Sequence, residues 1–335
     1  MSIVSLSPRL LKQTSHLLPN QLAVRAFATS LLGKGHTTAG RRERKDVRRV
    51  ENAEKDRDGS RGLLTTLEKS TFDESIAICT MRNPKKLNGW TQPMMEAMHR
   101  DFAVAATDES IKGLVITGEG NYYSAGVDLS GTIKPMQPAK LQEMIRVKNQ
   151  LVFDTFLDFP KPVVVAVNGP AIGASVTTAT LSEGIVACKE ATFNTPFSRL
   201  GVPPEGCSSV HFEYLMGKDN AERMLGKEGW VPTGEEAAEI GLITKCVNKS
   251  DLISEAVQLA ANKAAENKPR TAMGQPDIEM MKRVNAKESR DLADAFLGVK
   301  FLQTQADFLA SKGKMVPSMV FKFLIATRPI WSKTL

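Results

Sequence analysis

The chain predicts an α/β fold with parallel strand pairing, completed at its C-terminal end by a helical region. Two patterns carry that expectation. Short apolar runs such as Pro162-Val163-Val164-Val165-Ala166-Val167 read as strands buried on both faces, and they alternate with segments of helical period. Beyond Asp251 the strand signal stops and only the helical period remains. In order, residues 63–67 and 75–81 read as strands and 94–106 as an amphipathic helix. Residues 113–117 form a short strand ended by Gly118 and Gly120. A helix over 140–156 leads into the strand at 162–167. Gly173 opens a helix over 174–181, and 185–188 returns to strand. The last helices are expected over 252–266, 277–284 and 290–310. No internal repeat of fixed period and no glycine-rich phosphate loop is present.

With 335 residues and 42% apolar content the chain can build one large domain, or one domain plus appendages. Its net charge of +7 suggests a polyanionic partner until it is located. Residues 1–42 hold six Lys or Arg and no acid; residues 43–61 hold seven basic and six acidic side chains; the remaining 274 carry 31 of each sign. The body is therefore electrically balanced. The first 42 residues, rich in Ser, Thr, Leu and Arg, have the composition of an organellar transit peptide, with mitochondrion favoured over plastid. Residues 43–61 read as a charged, solvated linker or a frayed helix, so the folded core begins near Gly62. Residues 62–255 are assigned to that core and 256–335 to the helical region. The terminal Ser332-Lys333-Thr334-Leu335 comes near a peroxisomal address without matching it. The most apolar stretch, residues 319–325, is too short for a membrane span, contains Lys322 and is followed by Arg328.

Four cysteines and four histidines are scattered with no Cys-x-x-Cys pair, so no metal site is expected. Cys79, Cys188 and Cys246 read as buried thiols, and Cys207 as a neighbour of the interesting turn rather than a nucleophile. The chemistry concentrates in three stretches: Tyr122-Tyr123-Ser124-Ala125-Gly126-Val127-Asp128-Leu129, Asn168-Gly169-Pro170-Ala171-Ile172-Gly173-Ala174-Ser175, and Pro203-Pro204-Glu205-Gly206-Cys207-Ser208. In the first two, small residues at a strand end let backbone N–H groups turn toward a ligand. Two such groups on one carbonyl oxygen would stabilise an enolate, and a carboxylate nearby could move a proton on the adjacent carbon. Glu205, held between two prolines and a glycine, is the candidate carboxylate; Ser208 could cap the helix that follows.

These strings resemble the crotonase (enoyl-CoA hydratase/isomerase) superfamily over residues 62–268, most closely its Δ3,Δ2-enoyl-CoA isomerases of the peroxisomal-type branch. The resemblance implies a spiral of repeated ββα units. It implies that the backbone N–H groups of Val127 and Ala174 form the oxyanion hole and that Glu205 is the catalytic base. Ser124, Ala125, Gly126, Asp128, Leu129 and Gly173 would line the acyl-CoA. It further implies a CoA thioester as substrate, no separate cofactor or metal, and a homotrimer or dimer of trimers with contacts through the C-terminal helices.

Hydratases of this superfamily use two glutamates, and the corresponding positions here are Thr177 and Phe197. Neither can move a proton as a carboxylate does. A single base fits a 1,3-proton shift that turns 3-enoyl-CoA into trans-2-enoyl-CoA in unsaturated fatty acid β-oxidation, in the mitochondrial matrix or alternatively in a peroxisome or plastid. The competing readings are a hydratase or dienoyl-CoA isomerase of the same fold, a non-catalytic acyl-CoA-binding protein, and an RNA-binding protein using residues 40–61. That last segment holds no aromatic residue for base stacking, so no nucleic acid partner is expected.

Overall fold

The computed structural model describes residues 53–55, 61–128 and 136–334. The expected transit segment and most of the charged linker lie outside the described residues. Within the linker, Ala53–Lys55 (β1) pairs antiparallel with Arg61–Leu63 (β2). Then come Thr65–Lys69 (β3), Ile76–Met81 (β4), helix Gln92–Thr107 (α1), Gly113–Gly118 (β5), helix Pro138–Leu157 (α2), Val163–Val167 (β6), Ala171–Ile172 (β7) and helix Ala174–Ala179 (α3). Gly184–Cys188 (β8), Phe193–Asn194 (β9), the short helix Phe197–Leu200 (α4), Ser208–Leu225 (α5), Gly234–Glu239 (α6) and Lys245–Val247 (β10) follow. Four further helices complete the chain: Leu252–Glu266 (α7), Ile278–Phe296 (α8), Val299–Ser311 (α9) and Met315–Trp331 (α10).

Six strands form the main sheet in the order β10-β8-β6-β5-β4-β3. Only β3 runs antiparallel to its neighbour; the other pairings are parallel. Strands β5, β6 and β8 are buried along their whole length, which is why their sequences carry no polar alternation. Helix α7 packs over β5, β6 and β8, while α1 packs against β3 and β4. Thr91 starts α1 by accepting a hydrogen bond from Met94 N–H, and Pro93 sits where a missing donor costs nothing.

A second, smaller ladder positions the site. After each of four main-sheet strands the chain makes a short extended stretch before its next helix. These stretches pair in sequence: Trp90 with Val127, Ser124 with Ala171, and β7 with β9. This is a spiral of ββα turns, and every turn brings a loop to the same end of the molecule. Asn88 and Asn168, both buried, tie that end together. Asn88 donates to Glu119 O (3.0 Å) and Tyr122 O (2.9 Å), and Asn168 accepts from Gly118 N–H (3.1 Å) and donates to Gly120 O (3.0 Å).

The C-terminal region differs from the sequence expectation in two respects: a further helix, α10, follows residue 310, and the break expected inside the preceding helices is displaced. No break separates 277–284 from 290–310; α8 runs unbroken to Phe296, and the chain turns at Leu297-Gly298 instead. The apolar period fades over 285–289 because Asn285, Glu288 and Ser289 are buried polar residues on the packed face of that helix. Helix α8 lies along α2, and α10 along α9. Leu141, Ile145, Leu292, Phe296 and Phe301 form a second apolar cluster, with Phe321, Leu324, Ile325 and Trp331 of α10 packed on it.

Arg270 knits these layers. Its guanidinium donates to Phe156 O (2.6 Å) and Phe159 O (2.9 Å) beyond α2, to Leu181 O (3.2 Å), and to the Glu183 carboxylate (3.1 Å) before β8. The two side chains are only 10% and 6% exposed, so removing one leaves a charge without its partner in a nearly buried place. Arg270→Ala should lower unfolding free energy by about 3–5 kcal/mol, measured by urea denaturation. An effect below about 1 kcal/mol, the size expected of an exposed pair, would contradict this role.

Candidate active site

The first loop is built around Ser124. Its hydroxyl donates to Asn88 O (2.8 Å) and accepts from Gly126 N–H (3.0 Å), while its carbonyl accepts from Ile172 N–H (3.0 Å) of the second loop. Gly126 then takes a positive φ of 75°, and a side chain there would collide with the Ile172 carbonyl. Trp90 N–H donates to Gly126 O (2.7 Å) and Asp128 N–H to Trp90 O (3.1 Å). In such a parallel bridge the residue between the two bonds, Val127, directs its own N–H to the opposite side, and it makes no backbone hydrogen bond among the described residues.

The second loop ends at Gly173, with φ 62° and its N–H on Asn194 O (2.8 Å). Ala174 opens α3, so its N–H has no partner within the helix, nor any backbone partner elsewhere among the described residues. Behind it Thr177 is fully buried, its hydroxyl turned to Ala174 O (3.3 Å).

The third element carries the carboxylate. Glu205 follows Pro203-Pro204 and precedes two residues in the left-handed region, Gly206 (φ 66°) and Cys207 (φ 67°). A side chain at Gly206 would meet the Phe153 ring and the Thr177 hydroxyl, so the turn accepts glycine on two grounds. Ser208 does not cap α5 in the expected way; its hydroxyl donates back to Glu205 O (2.7 Å). The capping acceptor comes from α8, where Glu288 receives Cys207 N–H (2.6 Å) and Ser209 N–H (2.9 Å). The Cys207 thiol is buried and donates to Met281 O (3.1 Å), and burial holds it well above its ordinary pKa, so it is no nucleophile.

All three elements open on one cavity of about 660 Å³, within the size range of small-molecule sites. Ala125, Gly126, Val127, Asp128, Gly173, Ala174 and Glu205 line it together with Trp90, Val152, Phe153, Phe197, Leu292, Phe296 and Phe301. Of the residues expected to line an acyl-CoA, one described residue does not reach the cavity and another is not described. Ser124 is buried behind the loop it holds, and Leu129 lies outside the described residues. Among the carboxylates lining the cavity, Asp128 is half-buried and Glu96 exposed, whereas Glu205 is 8% exposed.

That burial governs the charge of Glu205. Removal from water pushes its pKa up from 4.5 to about 7; the hydrogen bond from Asn149 Nδ2 to Oε2 (2.5 Å) opposes the rise, and the nearby Glu288 adds to it. Glu205 is thus poised to lose and regain a proton near neutral pH. No cluster of three His, Cys, Asp or Glu side chains that could hold a metal occurs among the described residues. No helix among them is long and apolar enough to cross a membrane.

Asn149, Asn285, Glu288 and Ser289 escape a reading of the sequence by motif. A signal for Asn149 exists: it stands on the stripe Leu141, Ile145, Val152, where an apolar residue is expected.

Residues 71–306 match the enoyl-CoA hydratase/isomerase family, and the chain belongs to that family. It is 34% identical over 259 residues to enoyl-CoA delta isomerase 2 of Homo sapiens, a match covering 73% of this chain and 64% of that protein. It is 37% identical over 191 residues to the peroxisomal enoyl-CoA delta isomerase 3 of Mus musculus, covering 55% and 58%. The chain thus spans less than two thirds of the length of these relatives. Among solved structures, an enoyl-CoA hydratase/isomerase from Pseudoalteromonas atlantica shares the fold with a TM-score of 0.61 at 21% identity, covering 74% of this chain and 97% of the other.

The close approach of the two loops gives a direct test. Gly126→Ala sets a methyl group against a backbone carbonyl that cannot move aside without separating Ser124 from Ile172. The variant should lose at least about 1 kcal/mol of stability from backbone strain alone, read by thermal unfolding. Wild-type stability would show that the loops are not in contact.

Proposed function

We propose that this protein is a Δ3,Δ2-enoyl-CoA isomerase in which Glu205 shuttles one proton between C2 and C4 of a 3-enoyl-CoA. One observation carries the reading: a buried carboxylate with a pKa near neutrality shares a cavity with two backbone N–H groups that have no backbone partner among the described residues. Ionised Glu205 removes a proton from C2. The electron pair moves onto the thioester oxygen, which accepts hydrogen bonds from Val127 N–H and Ala174 N–H. Collapse of the dienolate takes the same proton from the Glu205 carboxyl to C4, leaving the double bond between C2 and C3. The acid returns to its ionised state without a second group.

Each part has an expected size. One oxyanion donor is typically worth about 10²–10³ in rate and a positioned acid–base group about 10²–10⁴. The Asn149 hydrogen bond keeps the carboxyl aimed and favours its ionised form. Thr177 and Phe197 put no carboxylate at the two positions from which hydratases of the family activate water, which favours isomerisation over hydration. The substrate on this reading is a CoA thioester and no separate cofactor is needed. The composition of residues 1–42 supports a mitochondrial matrix location, and the exposed apolar side chains of α9 and α10, such as Phe308, Met319 and Phe323, suit subunit contacts in a homotrimer.

Supplied separately with 3-enoyl- and 2-enoyl-CoA, the enzyme should convert the first to trans-2-enoyl-CoA and form little 3-hydroxyacyl product from either. Glu205→Gln should reduce kcat by at least about 10² with acyl-CoA binding largely kept. A variant turning over near the wild-type rate would remove Glu205 as the base. Because the ionised form reacts, kcat/KM should fall about tenfold per pH unit below about 7 and level off above it. A flat profile between pH 5 and 8 would contradict the assignment.

A further inference from the structure

Behind the Asn149–Glu205 contact lies Ser289 of α8, fully buried. Its hydroxyl has one proton to give, and the nearer acceptor is Asn149 Oδ1 at 2.8 Å; Asn285 Oδ1 stands at 3.3 Å. The amide of Asn285 cannot turn, because its NH2 donates to Asp154 Oδ1 (2.8 Å) and to Gln150 O (3.0 Å). Its oxygen therefore faces Ser289, and so does the oxygen of Asn149. With Oδ1 of Asn149 engaged by the hydroxyl, its NH2 is the end shown to Glu205.

The two ends of an amide act oppositely on a carboxyl group. An NH2 donates to the ionised form and stabilises it. A carbonyl oxygen accepts from the protonated form and stabilises that instead. We propose that Ser289 is a positioning residue: it decides which end of the Asn149 amide faces Glu205, and so keeps Glu205 a base. Only its consequence for turnover rests on the isomerase reading; the orientation of the amide does not.

Other ionisable groups around Glu205 do not take over this part. Glu288, on α8, faces it as a like charge and has its oxygens engaged by Cys207 N–H and Ser209 N–H. The Cys207 thiol donates to Met281 O. Asp154 on α2 is held by Asn285, and Lys282 on α8 pairs with Asp158. Asp128, Glu96 and Lys148 line the cavity, with Lys148 Nζ on Gln92 Oε1 (3.1 Å).

Ser289→Ala tests the proposal, since it removes the hydroxyl while leaving a small side chain in a helix. Infrared difference titration of the Glu205 carboxyl, assigned by its loss in Glu205→Gln, reads the charge state whatever reaction the enzyme performs. In Ser289→Ala the midpoint should rise by about one pH unit, and the acidic limb of kcat/KM should move with it. In an Asn149→Leu background the same substitution should produce no further rise. A folded Ser289→Ala protein with an unchanged midpoint, or an equal rise without Asn149, would overturn the role of Ser289. Absence of 3-enoyl-CoA turnover by the wild-type enzyme would instead overturn the isomerase reading, and the spectroscopic midpoint would still judge Ser289.

Discussion

A carboxyl group withheld from water, yet able to ionise near neutral pH, is the constraint around which the rest of the structure is arranged. For the base proposed above, burial alone would keep Glu205 protonated, and full pairing with a cation would keep it ionised and too weak to take a proton. The structure opposes burial with a neutral donor, Asn149, while the like charge at Glu288 adds to the rise. Glu288 has a second effect, since its bonds to Cys207 N–H and Ser209 N–H hold the end of the left-handed turn, Gly206-Cys207, on which the direction of Glu205 depends. Three separate turns of the spiral must then end at one cavity. The Ser124–Ile172 bond and the glycine at 126 make that approach possible.

The strands and the two glycine loops are legible in the sequence for a physical reason. Strands β5 and β6 are buried on both faces, so they are apolar apart from Thr117, whose hydroxyl donates to Ala166 O, and each loop needs a small residue where the backbone takes a positive φ or touches its neighbour. Gly126, Gly173 and Gly206 are local necessities and announce themselves locally. Val127, Ala174 and Glu205 stand beside them in sequence; the family resemblance singles out Val127 and Ala174, and all three line one cavity.

The support of Glu205 is harder to read because it is made of side chains far apart in sequence. Asn149 and Ser289 are separated by 140 positions, and each looks like an interruption of an apolar helix stripe until the two helices are packed. The same cause hides the continuity of α8, whose buried polar residues mimic a break. Ser124 misleads in the other direction: its place in the loop suggests a ligand contact, but its hydroxyl is consumed by Asn88 and Gly126 within the protein.

The central claim is that one side chain carries the same hydrogen from C2 to C4. It is tested most directly with 3-enoyl-CoA deuterated at C2, turned over once in ordinary water with the product examined by mass spectrometry and NMR. A carboxyl group buried as Glu205 is should deliver a substantial share of the deuterium to C4 before it exchanges with solvent. A product whose new C4 hydrogen comes wholly from water, or an oxygenated product in place of the trans-2-enoyl thioester, would contradict the account.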